Sequence, residues 1–225
     1  MTQNLSRLLT ILIPTKNRPD FLNRQLRSFE IQKCPYKIII GDSSSKNELE
    51  KNICRIKKSS LEIEHIYTKK NQENKELVGW QNDPIIRYLP NSVTTPYVCF
   101  LADDDIFFIK AISKAIIYLE RNNSYSFVNG NALMLFSDFA FSNLPLKNLT
   151  KYNQRSYTNK NPIERFNSLH KNYTVIEYGI SRTNQFIERW EIVLNSKIGN
   201  LNGEYLNTSL IAIQGKIHKL NEILF

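Results

Sequence analysis

Tyr97-Val98-Cys99-Phe100-Leu101-Ala102-Asp103-Asp104-Asp105 is an apolar run that ends in three consecutive aspartates. The run Tyr97 to Leu101 reads as a buried strand. Carboxylates placed side by side repel: two unit charges ~4 Å apart cost roughly 1 kcal/mol in water and more in a cleft. One compensation is a helix N-terminus, with the aspartates capping a helix from Ile106 onward. Another is a hard divalent cation, which takes oxygen ligands. A cap needs one Asp, so three in a row favour the metal.

Working outward, the same punctuation recurs. Leu8 to Ile13 is an apolar run stopped by Pro14, followed by the polar loop Thr15-Lys16-Asn17-Arg18-Pro19. Asn17 is a candidate cap, Pro19 suits a first helical position, and Leu22, Leu26 and Phe29 recur at helical spacing. Lys37 to Ile40 predicts a second strand, Gly41 to Ser45 a loop, and Leu49, Ile53 and Ile56 a second helix. Glu62 to Tyr67 alternates like an edge strand. Lys69 to Asn74 reads as loop, and a short helix is expected around Pro84 to Tyr88. Beyond the aspartates, Ile109, Ile112 and Ile116 predict another helix. Tyr125 to Phe136 reads as a hairpin or strand with a tight turn at Asn129-Gly130-Asn131. The polar stretch 137–162 reads as a long loop, a candidate lid. Helical spacing returns at Phe186, Trp190 and Val193. Leu206, Leu210, Ile213, Ile217, Leu220 and Leu224 predict one last helix.

Strands alternating with helices indicate an α/β fold with a mostly parallel sheet and right-handed crossovers. Ligands then bind outside the carboxyl ends of the strands, where loops 14–19, 41–45 and 102–105 converge. The expected organisation is a single domain over 1–225. Its half up to about 122 would bind nucleotide, and the half from about 123 would carry the acceptor side.

The chain has 225 residues, 41% hydrophobic and 23% charged, so it is long enough for a sizeable core and too apolar to be disordered throughout. Its net charge of +9 suits an anionic substrate or membrane surface. The basic residues form no long run, and no nucleic-acid partner is expected. Three cysteines, Cys34, Cys54 and Cys99, have no metal-ligand spacing, which points to a reducing compartment. No signal peptide is apparent and no window reaches the ~20 apolar residues of a membrane span. The expected location is cytoplasmic, with peripheral contact at the inner face of a membrane.

Thr10-Ile11-Leu12-Ile13-Pro14-Thr15-Lys16-Asn17-Arg18 resembles the first strand and loop of family 2 glycosyltransferases of the GT-A fold. Ile38-Ile39-Ile40-Gly41-Asp42-Ser43-Ser44 is similar to their second strand and its Asp-Ser turn, and Thr95 to Asp105 to their strand ending in a DXD motif. The resemblance covers roughly residues 8 to 120. It implies a Rossmann-like GT-A sheet flanked by helices, with a C-terminal acceptor-side helical region. Pro14, Thr15 and Arg18 would line a nucleotide pocket, and Asp42 would contact the base. Asp103 and Asp105 would hold Mn2+ or Mg2+, with Asp104 near the donor sugar. Many members carry Asp where this chain has Ala102, so the register among the three aspartates stays open. The donor would be a nucleotide-diphosphate sugar, a UDP-sugar first, and the acceptor a glycan or a lipid-linked saccharide.

Inverting members use a later carboxylate to deprotonate the acceptor. Gly203-Glu204-Tyr205-Leu206 is similar to their segment at the start of the last helix, which makes Glu204 the candidate base. Glu177 and Asp138 are weaker candidates. For Glu204 the plain alternative is a Glu favoured by the helix dipole. Lys16 and Arg18 could contact phosphates or simply be solvated, and Asp42 could cap the following helix. Rival functions are a nucleotidyltransferase, which would want a Gly-rich loop that Pro14 to Pro19 lacks, an aspartyl-phosphate phosphatase, and an inactive or truncated glycosyltransferase-like scaffold.

Overall fold

The structure is a computed structural model and describes residues 5–68, 83–136 and 148–225. Four strands form its parallel half. They are β1 (Leu9–Thr15), β2 (Lys37–Asp42), β3 (Ile63–Tyr67) and β4 (Tyr97–Phe100). They lie in the order β3-β2-β1-β4, every pairing parallel. The crossovers carry α1 (Pro19–Ile31), α2 (Lys46–Lys57) and α3 (Pro84–Tyr88). α4 (Ile109–Arg121) follows β4. Leu9, Ile11 and Ile13 of β1 face α1 and α4, meeting Leu22, Leu26, Phe29 and Ile112. Leu12, Ile39 and Val98 face the other way, onto Ile85 and Ile86 of α3 and onto Phe186 and Trp190. Alternate residues of one strand thus fill two cores, which is why these strands read as unbroken apolar runs.

The sheet continues into an antiparallel half. β5 (Tyr125–Phe136), β6 (Asn148–Tyr152), β7 (Ile180–Arg182) and β8 (Lys216–Ile223) give the path β3-β2-β1-β4-β7-β5-β6, with β8 parallel to β5. Three helices cover it: α5 (Pro162–Lys171), α6 (Thr183–Asn195) and α7 (Asn200–Gln214). Arg165 of α5 joins two of them. Its guanidinium is buried and donates to four carbonyls, those of Ala212 and Ile213 near the end of α7 and those of Asn159 and Lys160.

Three expectations are corrected here. The last helix does not run to Leu224. It stops at Gln214, and the chain turns at Gly215 into strand β8. A Cβ at Gly215 would lie 2.5 Å from the Ser126 side chain, so the chain crosses β5 too closely for any other residue. Ile217, Leu220 and Leu224 are buried at helix-like spacing because bulges break the β5–β8 register. Asn129-Gly130-Asn131 is no turn: β5 passes straight through it, and Gly130 is small because Leu224 and Glu222 press on it. Of the predicted loop 137–162, residues 137–147 lie outside the described residues, but Asn148–Tyr152 is strand β6 and Tyr157 bridges to Ile217. Residues 69–74, read as loop, also lie outside the described residues.

Cys99 is core, as expected, and burial pushes its thiol up. The three cysteines are free. Among the described residues no helix is long and apolar enough to cross a membrane.

Candidate active site

Thr15, Asp42 and the Ala102-Asp103 turn stand at the carboxyl ends of β1, β2 and β4. Parallel strands bring them together. The Thr15 hydroxyl donates to Asp103 Oδ2 at 2.7 Å. Arg18, stacked over Phe21, bridges two aspartates, with Nη1 2.9 Å from Asp103 Oδ1 and Nη2 2.6 Å from Asp104 Oδ2. Loop 14–19 is tied in turn to loop 41–45. Asn17, at φ 56°, accepts from the Ser45 amide while its own amide donates to Ser44 Oγ. Asn tolerates that left-handed backbone better than most residues, so Asn17 works as a strut rather than a helix cap.

The aspartates do not cap a helix. α4 begins at Ile109, and its first amide donates to Gln32 Oε1 from α1. Gln25 holds the Asp loop from the same helix, donating to the carbonyls of Ala102 and Asp105, and Arg24 donates to that of Asp104. The loop is thus clamped by backbone contacts that leave its carboxylates for other uses. Asp103 is buried, and desolvation raises its carboxyl against the pull of Thr15 and Arg18. Asp105 is pushed up to about 6, first by burial and then by its two acidic neighbours, with Arg24 and Arg18 pulling the other way.

These groups open onto a cavity of about 640 Å3. Its lining includes Pro14, Thr15, Lys16, Arg18 and Asp103, together with the apolar Ile85, Ile86, Phe100 and Trp190. Glu177, Tyr178, Leu201 and Glu204 also line it, with Glu204 near enough to act on Glu177, which makes this part of the lining an acidic wall. Asp104 is exposed beside Arg18, and neither it nor Asp105 lines the cavity.

Asp42, expected to contact the base, is not among the residues that line the cavity. It is 0% exposed, and its oxygens accept from the Ser44 amide, from Asn52 Nδ2 and from His65 Nε2, so none faces the cavity. Asp83, which the sequence reading passed over, does line it. Asp83 caps α3, accepting from the Ile85 amide, and takes Ser43 Oγ at 2.5 Å and Lys16 Nζ at 3.1 Å. An Asp directly before a Pro at a helix start was the available signal, but it reads as a cap alone.

Both described base candidates stand on the acidic wall, and Asp138 lies outside the described residues. Glu204 sits one turn inside α7, which starts at Asn200, so it is not a first-turn Glu. Desolvation raises its carboxyl, and among the described residues it has no hydrogen-bond partner. Glu177 is held by a chain. Arg189 Nε donates to Asn207 Oδ1 at 2.7 Å, and Asn207 Nδ2 donates to Glu177 Oε1 at 2.7 Å. Arg189 can only donate, so it fixes which end of the amide faces Glu177. Arg189 is buried, and desolvation pulls it down to about 10. Glu177 is pushed up to about 7, chiefly by desolvation, with Asn207 acting against it and Glu204 adding to it.

For a metal, the donor chemistry fits a loosely held ion. Among the described residues no three Asp, Glu, His or Cys side chains converge on a point. Asp103 and Asp105 could therefore supply two ligands at most, the pattern of ions that take the remainder from water and substrate phosphates. Asp105, desolvated between two other carboxylates, is a group that a cation would relieve.

The fold has known counterparts. Residues 1–349 of TarS of S. aureus, solved with UDP-GlcNAc, match over 96% of this chain and 57% of their own length, with TM-score 0.60 and 13% identity. The mannosyltransferase PcManGT of Pyrobaculum calidifontis, solved with GDP-Man and Mn2+, matches over 96% of this chain and 55% of its own, with TM-score 0.56 and 11% identity. The chain thus spans less than two thirds of either glycosyltransferase. The 4-diphosphocytidyl-2C-methyl-D-erythritol synthase of Anaerococcus prevotii matches over 96% and 89%, with TM-score 0.54 and 9% identity. Identities this low show the fold alone, and the fold is the expected α/β GT-A arrangement with its mostly parallel sheet. No curated protein sequence matches the chain significantly. The family model of glycosyl transferase family 2 matches residues 10–173, which include the loops of Thr15, Arg18, Asp42 and Asp103 but stop short of Glu177 and Glu204. That match covers well over half of the sequence, and the chain belongs to glycosyl transferase family 2.

Proposed function

We propose that the chain transfers a sugar from a nucleotide-diphosphate donor to an acceptor hydroxyl in one inverting step. The observation that carries this reading is that one cavity is lined both by Asp103 and Arg18 and by the carboxylates of Glu177 and Glu204. Lys16, Arg18 and the Thr15 and Ser43 hydroxyls among the lining could meet a diphosphate, and the carboxylates of Glu177 and Glu204 suit a nucleophile that must lose a proton. Arg18 would bind the diphosphate and Thr15 would hold Asp103 in place. When bound, Mn2+ or Mg2+ on Asp103 and Asp105 would supply positive charge to the departing diphosphate.

The base is Glu177 in this reading. Its carboxyl lies near neutrality, where a general base is most effective, and the Asn207–Arg189 chain leaves Oε2 for the acceptor proton. Glu204, the base expected from the sequence, has no such support and would act on the acceptor as a neighbour. A UDP-sugar remains the first donor to test, supported by the UDP-GlcNAc bound in TarS, with a GDP-sugar second. The acceptor would be a glycan or lipid-linked saccharide, and the charge of +9 is compatible with contact at an anionic membrane surface.

The test is turnover. The chain is incubated with UDP- and GDP-sugars and Mn2+ or Mg2+, and released diphosphate is measured beside binding of the same donors. Donor binding with turnover that Asp103→Ala and Glu177→Gln abolish supports the proposal. A chain that binds no donor would fit the scaffold reading instead.

A further inference from the structure

Four rings gather beyond the acidic wall. Phe166 and His170 on α5, Tyr173 just after it, and Tyr205 on α7 form one cluster. Ring centroids lie 4.2 Å apart for Phe166–His170, 4.6 Å for His170–Tyr205, 5.2 Å for Tyr173–Tyr205 and 5.6 Å for His170–Tyr173. Such a cluster normally buries itself, yet Tyr173 is 38% and Tyr205 47% exposed. Behind them His170 is pinned to Ser209 Oγ at 3.0 Å. The tyrosines are therefore an open ring surface on a fixed backing.

This surface continues the cavity. Leu201, 81% exposed, lines the cavity and precedes Tyr205 by four residues, so the two share one face of α7. Glu204 lines the cavity from the turn between them. Tyr173 feels the charges of both Glu204 and Glu177. The rings begin where the cavity ends, with the two carboxylates at the junction. The surroundings are polar: Lys171, Asn172 and Asn202 are exposed beside the rings in sequence.

We propose that Tyr173 and Tyr205 form the stacking platform of a saccharide acceptor subsite. A pyranose has an apolar C–H face and a rim of hydroxyls. The partly negative face of a tyrosine ring attracts the C–H face, while polar neighbours and carboxylates meet the hydroxyls. A sugar lying on these rings presents a hydroxyl toward Glu177 and Glu204. A lipid chain would need a continuous apolar trough, and the polar neighbours interrupt one. The inference rests on reading the cavity as a sugar-transfer site.

The experiment is saturation-transfer NMR on the full chain without nucleotide, with chitotetraose, cellotetraose and maltotetraose as probes. Tyr173→Ala/Tyr205→Ala is compared with Tyr173→Phe/Tyr205→Phe, and urea unfolding checks that both variants fold. Transfer from aromatic protons to at least one tetrasaccharide is expected. It should fall about 5-fold or more in the Ala pair and survive in the Phe pair, since the ring and not the hydroxyl does the stacking. Silence with all three sugars, transfer that persists in the Ala pair, or a stronger signal with dodecyl-chain micelles than with any sugar overturns the platform. Donor turnover is scored separately. Ring-dependent sugar binding without donor binding keeps the platform and removes the transfer reading, whereas donor turnover with no sugar signal does the reverse.

Discussion

Replacing Glu177 by Gln should stabilise the protein by about 3 kcal/mol at pH 8 and by less than about 1 kcal/mol at pH 5. The carboxyl is pushed from an ordinary 4.5 to about 7, chiefly by desolvation. The folded protein thus holds this proton more tightly than the unfolded chain does. Stability from that preference is complete below about pH 4.5 and is lost as pH rises through 7. At about 1.4 kcal/mol for each of the roughly 2.5 pH units between the two values, the loss is slightly over ~3 kcal/mol by pH 8. Gln has the shape of the protonated acid, carries no charge and still accepts from Asn207, so it escapes the penalty. All other titrating groups are common to both proteins and cancel in the difference. Urea unfolding at pH 5, 6, 7 and 8 measures it. A variant that gains equally at every pH, or gains more at pH 5, would refute the argument that Glu177 is desolvated in the fold.

Turnover should show an acidic limb near pH 7, and Asn207→Leu should displace that limb while leaving donor binding intact; a pH profile of kcat/KM checks both. Arg18→Ala removes the cation shared by Asp103 and Asp104 and should weaken donor binding about 10-fold or more, read by calorimetric titration. Asp42→Ala strands donors from Ser44, Asn52 and His65, and should cost about 1–3 kcal/mol in urea unfolding without changing donor affinity. Gly130→Ala pushes a methyl group against Leu224 and the Glu222 carbonyl, and should cost about 1–3 kcal/mol by the same measurement.

The parallel half was legible because each buried strand declares itself. Leu9, Ile11 and Ile13 feed one core and Leu12 the other, so only the small, buried Thr10 interrupts the run. The site loops were legible for a related reason, since strand ends in such sheets have one chemical use. β8 was not legible. Ile217, Leu220 and Leu224 step like a helix because bulges shift the register, and bulges depend on the partner strand. The turn at Asn129-Gly130-Asn131 failed likewise: Gly130 is there for a neighbour distant in sequence. That Asp83 and not Asp42 lines the cavity was not legible, because a carboxylate's orientation depends on Asn52 and His65, or on Lys16 and Ser43, all contacts across the fold. The support of Glu177 by Arg189 and Asn207 joins three elements and leaves no local pattern to read.

Arg165 has a consequence for how the acceptor side tolerates its surroundings. Every acceptor it uses is a peptide carbonyl. A carbonyl neither gains nor loses a proton across the range in which Glu177 and Asp105 titrate. The anchor at the C-terminal end of α7 is therefore blind to acidity, while the acidic wall the same helix helps to build is tuned by it. Acidification that protonates Glu177 would leave this anchor in place.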